Sequence, residues 1–297
     1  MSEPLSTVAT SIVATASKDI ATTASKGIGQ TVSDIWYVVF GAEWDEKRQK
    51  KQLEVAHNVE KFKEEITNKS AQIPDENRIE PDIDVVGATL ESAKFRINKD
   101  EIRDMFSNLI TSAMDSSKAD DIHPSFSEMI KMLSPLDAQN LHYLFHNGDE
   151  TISKIIINLE KGGYQEKYTH IYLGNPKCQR NELIEPSIDN LIRLKLVDVS
   201  YTEYKTAENA YTAHLENPLY IALKADVADK INRIKSDIDK LSDPQITQVM
   251  HNNKILSDNE RLALKESLEK NLFKDVELQQ GVIRLTALGR NFCKVCL

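Results

Sequence analysis

The chain has 297 residues, 40% of them apolar and 28% charged, and a formal net charge of −9. That is enough chain for one or two domains with a real core, and the acid excess argues against a protein that coats nucleic acid, because no basic surplus is available to displace counterions. Three cysteines (Cys178, Cys293, Cys296) are too few to staple a fold of this size and fit a reducing, intracellular setting. No secretory signal is expected, and no apolar run approaches the roughly 18 residues of a membrane span. Only 10 glycines and 9 prolines favour helix.

Residues 1–44 differ from everything after them. Leu5, Val8, Ile12, Ile20, Ile28, Val32, Ile35 and Val39 step by threes and fours through Ala, Ser and Thr, which predicts a thin amphipathic helix that needs a partner surface. The most apolar stretch, Ile35-Trp36-Tyr37-Val38-Val39-Phe40, is followed by Trp44 and by the cations Lys47, Arg48, Lys50 and Lys51. Residues 45–83 read as a charged helix ended before Pro74, then a linker held extended by Pro81.

Residues 84–147 predict a compact helical bundle. Val85, Val86, Leu90 and Phe95 mark a first helix. Asn98 and Glu101 predict a capping box for a second, which carries Ile102, Met105, Phe106, Leu109, Ile110 and Met114. His123-Pro124 opens a third, and Ser134-Pro135 with Asp137 opens a fourth, with serine as N-cap and proline at the first helical position.

Residues 148–297 read as mixed. Residues 150–160 have helical spacing, Tyr168–Leu173 alternates like a strand, and 187–194 is a helix leading into a strand at 196–199. Two charged helices are expected at 225–241 and 258–273, and the end turns from a strand at Val282 into a short helix. That order predicts a winged-helix-like α+β module with a helical insertion. The fold expected is therefore mainly α: an N-terminal amphipathic helix, a central bundle and the winged-helix-like module.

The candidate chemistry is sparse. Cys293-Lys294-Val295-Cys296 has the spacing of half a zinc site or a redox pair, but lacks two further ligands nearby. His123 near Asp120 and Asp121 could serve acid–base work, although a residue just before a helix-opening proline more simply caps that helix. Asp115, Asp120 and Asp121 lack the alternating oxygen ligands of an EF-hand. No GxxxxGK[ST], GxSxG or HExxH pattern occurs, so no enzyme, cofactor or metal is expected.

Several stretches carry a resemblance. Val85-Val86-Gly87-Ala88-Thr89-Leu90-Glu91, Glu101–Ile110, His123-Pro124-Ser125-Phe126 running to Ser134-Pro135, and Asn190-Leu191 with Leu285-Thr286-Ala287-Leu288-Gly289 resemble the abortive-infection alpha family of bacterial proteins. The similarity spans roughly residues 45–297. Lys195 stands where similar sequences often have Gly, and Ala287 where they often have Pro. The resemblance implies a role in defence against phage by arrest or death of the infected cell, and it brings no catalytic residues with it. Its motif residues Gly87, His123, Pro124, Ser125, Phe126, Ser134, Pro135, Asn190, Leu191 and Gly289 are expected to be structural.

Two main readings of residues 5–44 stay open, with a disordered tail as the remaining one. They pack on the protein's own body or on a second copy, giving a homo-oligomer. Otherwise they contact an anionic membrane surface through Ile35–Phe40, Trp44 and the following cations, which would place a cytoplasmic protein at the periphery of the inner membrane. A phage or host protein docked on the winged-helix-like module is the alternative partner. Nucleic acid is disfavoured, because Asp189, Arg193, Glu203, Lys205, Glu208 and Glu216 mix charge signs across that module.

Overall fold

A computed structural model describes residues 49–297 apart from 247, 252 and 253, with side chains from His57 onward. The chain runs α1 (Gln49–Ser70), α2 (Ile83–Ala93), α3 (Asp100–Ser112), α4 (Phe126–Met132) and α5 (Pro135–Asn147) before its first strand. It continues β1 (Glu150–Leu159), β2 (Tyr164–Tyr172), α6 (Asn181–Arg193), β3 (Val197–Ser200), α7 (Thr212–Leu215) and α8 (Pro218–Ser242). The order ends β4 (Met250–His251), β5 (Lys254–Ile255), α9 (Asp258–Lys270), β6 (Phe273–Leu285) and α10 (Ala287–Cys296). The described protein is mainly helical, and the expected N-terminal helix lies outside the described residues.

The chain forms two compact units. The first takes the described residues up to Gly148 together with Ser187–Asp198 and Leu285–Leu297; the second is Asp149–Pro186 and Val199–Arg284.

In the first unit α3 is the central element, packing on α1, α2, α4, α5 and α10. Its Ile102, Met105, Phe106, Leu109 and Ile110 are buried, because steps of three and four put them around the inner faces of the helix. Fully burying each is worth about 1.5–3 kcal/mol. The capping box expected at Asn98 and Glu101 does not form. Lys99 occupies the N-cap without a side-chain bond, and Glu101 instead accepts from Gln139 Nε2 at 2.9 Å. Phe95, expected on the inner face of α2, lies beyond that helix and is exposed.

Arg103 shows how the bundle accommodates a charge. It is buried, and its guanidinium donates to Glu65 Oε1 and lies 2.8 Å from Asp100 Oδ1 while reaching the Ile97 carbonyl. Burial alone would depress its ionisation, but the bonds to Glu65 and Asp100 outweigh that and raise it. The bond from Arg103 in turn holds the Asp100 carboxyl below its ordinary value.

Two turns explain the departures at Lys195 and Ala287. Lys195 has φ of 59°, the left-handed region that glycine enters at least cost. Ala287 follows the N-cap Thr286 and sits at the first helical position, where proline is also well suited. Gly289 has no such freedom: a Cβ there would stand 1.9 Å from the Leu196 carbonyl oxygen.

A four-stranded sheet has the order β2-β1-β6-β3, with β1 antiparallel to both β2 and β6; β1 and β2 lie wholly in the second unit. The helix expected at 150–160 is strand β1. Ile152, Ile155 and Ile156 mimic a helical step, but Ile152, Ser153, Ile155, Ile156 and Ile157 are all buried, so both faces of the strand are covered and the two-residue alternation is erased. The helix expected from residue 187 begins at Asn181 and carries Pro186 in its interior. Its early turns are tied by Asn181 Nδ2 donating to Glu185, which also accepts from the Thr169 N–H.

One sheet face is apolar, with Ile155, Ile157, Ile171 and Val276 packed on Val227 of α8 and edged by Tyr168, Tyr220, Leu223 and Ile231. Beyond that core α8 and α9 contact each other, and α9 buries no residue. Arg261 of α9 closes the C-terminal end of α8 by donating to the carbonyls of Lys240, Leu241, Asp243 and Ile246, in the stretch where the helix runs out of its own backbone donors.

Candidate functional site

The first unit carries a polar cleft of about 260 Å³, formed where the end of α1, the 72–74 turn, the last turn of α3 and the 115–118 turn converge. Pairing of the 77–79 segment with the end of α3 sets its shape: Ile79 N donates to the Met114 carbonyl, and Ser116 N to that of Asn77. Asp115 stabilises the turn beyond, its Oδ1 accepting from Ser117 N at 2.9 Å and Ser117 Oγ at 2.7 Å.

Most polar groups on the cleft wall are committed. Lys69 donates to Asp104 Oδ1, the Asp104 carbonyl and Ser107 Oγ, so its three protons all have acceptors. Thr111 bonds back to its own helix, Ser112 Oγ donates to the Val295 carbonyl, and Asn108 Nδ2 donates to the Cys296 carbonyl. Four groups are left over among the described residues: Asp115 Oδ2, Asn108 Oδ1, the Gln72 amide and the Lys118 amine. No sequence motif marks these positions, which lie as far apart as residues 72 and 118, so the cleft was illegible before the fold.

The family-motif residues are placed elsewhere in the same unit, and several meet. Ser134 and Asp137 form a capping box at α5, with Asp137 Oδ2 accepting from Ser134 N at 2.7 Å. Asn190 donates to the same oxygen at 2.8 Å, and Ser187 Oγ to the other oxygen of Asp137. Ser187 accepts in turn from Asn140 at 2.9 Å. Asp137, Asn140 and Ser187 are buried, so this network ties α6 to the start of α5 and is closed to a substrate. Pro135 sits at the first turn of α5, and Leu191 is fully buried beside the network.

His123 is exposed; its Nδ1 accepts from Ser125 N and lies 2.7 Å from Ser125 Oγ, turning the chain into α4 ahead of Phe126. Pro124 fills the turn between them. Phe126 is buried edge-on against Phe292 of α10, with ring centroids 5.1 Å apart. Gly87 is half-buried within α2, and Gly289 provides the close passage of α10 over Leu196.

Other reactive side chains are deep. Cys293 and Cys296 are free thiols, both buried; burial pushes Cys293 up to about 12 and Cys296 well above the ordinary thiol range. Neither thiolate forms readily, which disfavours redox or nucleophilic use. In the second unit His214 Nδ1 lies 2.8 Å from Ser153 Oγ and its Nε2 3.0 Å from Thr151 Oγ1. This serine–histidine pair is fully enclosed, and burial lowers the imidazole from 6.5 to about 4, so it acts as a neutral cross-tie. Among the described residues no group of three or more His, Cys, Asp or Glu is placed to hold a metal ion, and no helix is long and apolar enough to cross a membrane. The residues expected to contact a membrane, from Ile35 to Arg48, lie outside the described residues; Lys50 and Lys51 fall within α1 but before the described side chains.

Compared with known proteins, residues 54–296 match the family described as Abortive infection alpha. No curated protein and no solved structure matches the chain significantly.

Proposed function

The chain belongs to the abortive infection alpha family, and from that premise we propose that it is an anti-phage effector that acts without catalysis, by directing its N-terminal segment at a membrane. The observation that carries this is the sequence from Ile35 to Lys51: an apolar, aromatic stretch, then a short segment with Trp44 and the acids Glu43, Asp45 and Glu46, then four cations within five residues. Trp36, Tyr37 and Trp44 suit the headgroup zone, and each of Lys47, Arg48, Lys50 and Lys51 adds about 1 kcal/mol against an anionic leaflet. Ile35 to Phe40 is too short to span a bilayer, so the segment lies in the interface or assembles with further copies through its small residues. Deep thiols and an enclosed serine–histidine pair favour a non-catalytic mode.

The test is expression of the full chain, with membrane potential and growth recorded beside a Trp36→Glu, Val39→Glu variant. The wild type should depolarise cells and bind anionic vesicles; the variant should do neither while keeping its melting temperature. A fully toxic variant, or a wild type that ignores vesicles, removes this reading.

A second reading rests on the order of elements: α6, then β3, and β6 running into α10, which follows a winged-helix-like plan interrupted by an insertion. In that reading the module docks a phage or host protein. The mixed charges of Asp189, Arg193 and Glu203 make DNA the poorer partner, and a DNA shift without a steep salt dependence would exclude it.

A further inference from the structure

We infer that the cleft at Asp115 is a binding site for a small zwitterion, an amino-acid-sized molecule whose ammonium group meets the Asp115 carboxylate and whose anionic group meets Lys118. Asp115 is nine-tenths buried and lines the cleft, yet only one of its two carboxylate oxygens is used: Oδ1 holds the Ser117 turn, and Oδ2 has no hydrogen bond among the described residues. An acceptor of this kind, half withdrawn from water, gains most from a charged donor brought to it. Asn108 adds a second acceptor, because its amide nitrogen is spent on the Cys296 carbonyl and its Oδ1 is left over. On the opposite sign, Lys118 makes no ion pair among the described residues and the Gln72 amide makes no side-chain hydrogen bond, and both line the cleft.

The charges decide the ligand class. A simple anion would have to approach the buried carboxylate, and Lys69, the other lysine present, already has an acceptor for every proton. A metal ion would find one carboxylate and, on the same cleft wall, an ammonium: too few ligands of the right sign. A molecule carrying both charges close together satisfies both halves and leaves neither unpaired. The volume, about 260 Å³, lies just below the usual range for ligand pockets, which limits the occupant to a small molecule.

The experiment titrates the full chain with L-serine and glycine, and in parallel with L-serine methyl ester, N-acetyl-L-serine and inorganic phosphate, followed by saturation-transfer NMR and calorimetry. The two zwitterions should bind saturably, and the ester and the acetylated compound at least tenfold more weakly. Asp115→Asn keeps an Oδ1 acceptor for Ser117 and should melt near the wild type while losing at least tenfold in affinity; Lys118→Gln should lose a similar factor. Trp36→Glu with Val39→Glu should leave binding unchanged, which separates this site from the membrane reading. The proposal is overturned if phosphate binds in place of the zwitterions, if the ester binds as well as serine, if Asp115→Asn retains full affinity, or if no probe saturates at millimolar concentration.

Discussion

The helices α3 and α9 have the same length, 13 residues each, and are held in opposite ways. Helix α3 has no side-chain N-cap and buries Ile102, Met105, Phe106, Leu109 and Ile110 against its neighbours. Helix α9 buries nothing and is fixed by local chemistry: a Ser257–Glu260 capping box, an ion pair from Lys254 to Glu260, and Arg261 reaching the end of α8. The contrast teaches that the first unit relies on tertiary packing that capping need not support, whereas the α8–α9 arm relies on bonds within a few turns of chain. Such an arm should open at lower free energy than the bundle.

The largest break comes from the packed side. Phe106→Ala should destabilise the first unit by about 3–5 kcal/mol, seen as a marked fall in melting temperature. An undiminished melt would mean that α3 does not anchor the bundle.

A smaller effect separates the second unit by pH. His214 titrates near 4 in the fold and near 6.5 when unfolded, so the unfolded state binds the extra proton between those values. Its neutral packing therefore costs nothing above about pH 6.5, and stability is lost as pH falls from there to 4, by about 3 kcal/mol in all. His214→Gln should flatten that slope in chemical denaturation followed across the same range. An unchanged slope would rule His214 out as its origin.

The smallest effect lies in the arm. Ser257→Ala removes the N-cap of α9 and should cost about 1 kcal/mol, appearing as faster amide exchange in α9 with the bundle's exchange unchanged. Glu260, held down to about 2 by Lys254 and the Ser257 bonds, sharpens the same point: its contribution is present above its ordinary value of 4.5 and fades as pH drops towards 2. Exchange that spreads equally through α3 would erase the distinction between the two helices.

How far each region was legible follows from the same physics. Helix α3 was readable because its large apolar side chains recur at steps of three and four even though smaller polar residues between them are also buried, and α5 because Ser134, Pro135 and Asp137 write its start locally. The strand β1 was misread because it is covered on both faces, which removes the alternation and leaves isoleucines at helical steps. The expected cap at Glu101 failed because α3 starts one residue later than expected: with Lys99 at the N-cap, Glu101 is the second helical residue and not the third, and its carboxylate accepts instead from Gln139, 38 residues away. The cleft and the His214 knot depend on pairs such as Ser153 and His214, 61 residues apart, whose meeting no local pattern encodes.

The first unit is assembled from three separate stretches of chain, and α10 supplies Phe292, Cys293, Val295 and Cys296 to its interior. During synthesis, the surface around Phe126 must therefore wait while more than 160 further residues leave the ribosome before Phe292 arrives to cover it. At roughly 5–20 residues per second that is a delay on the order of ten seconds or more, in which an apolar face is open to chaperones or to misassembly. Translation speed through the second unit thus becomes a variable in how much functional protein a cell obtains from each message.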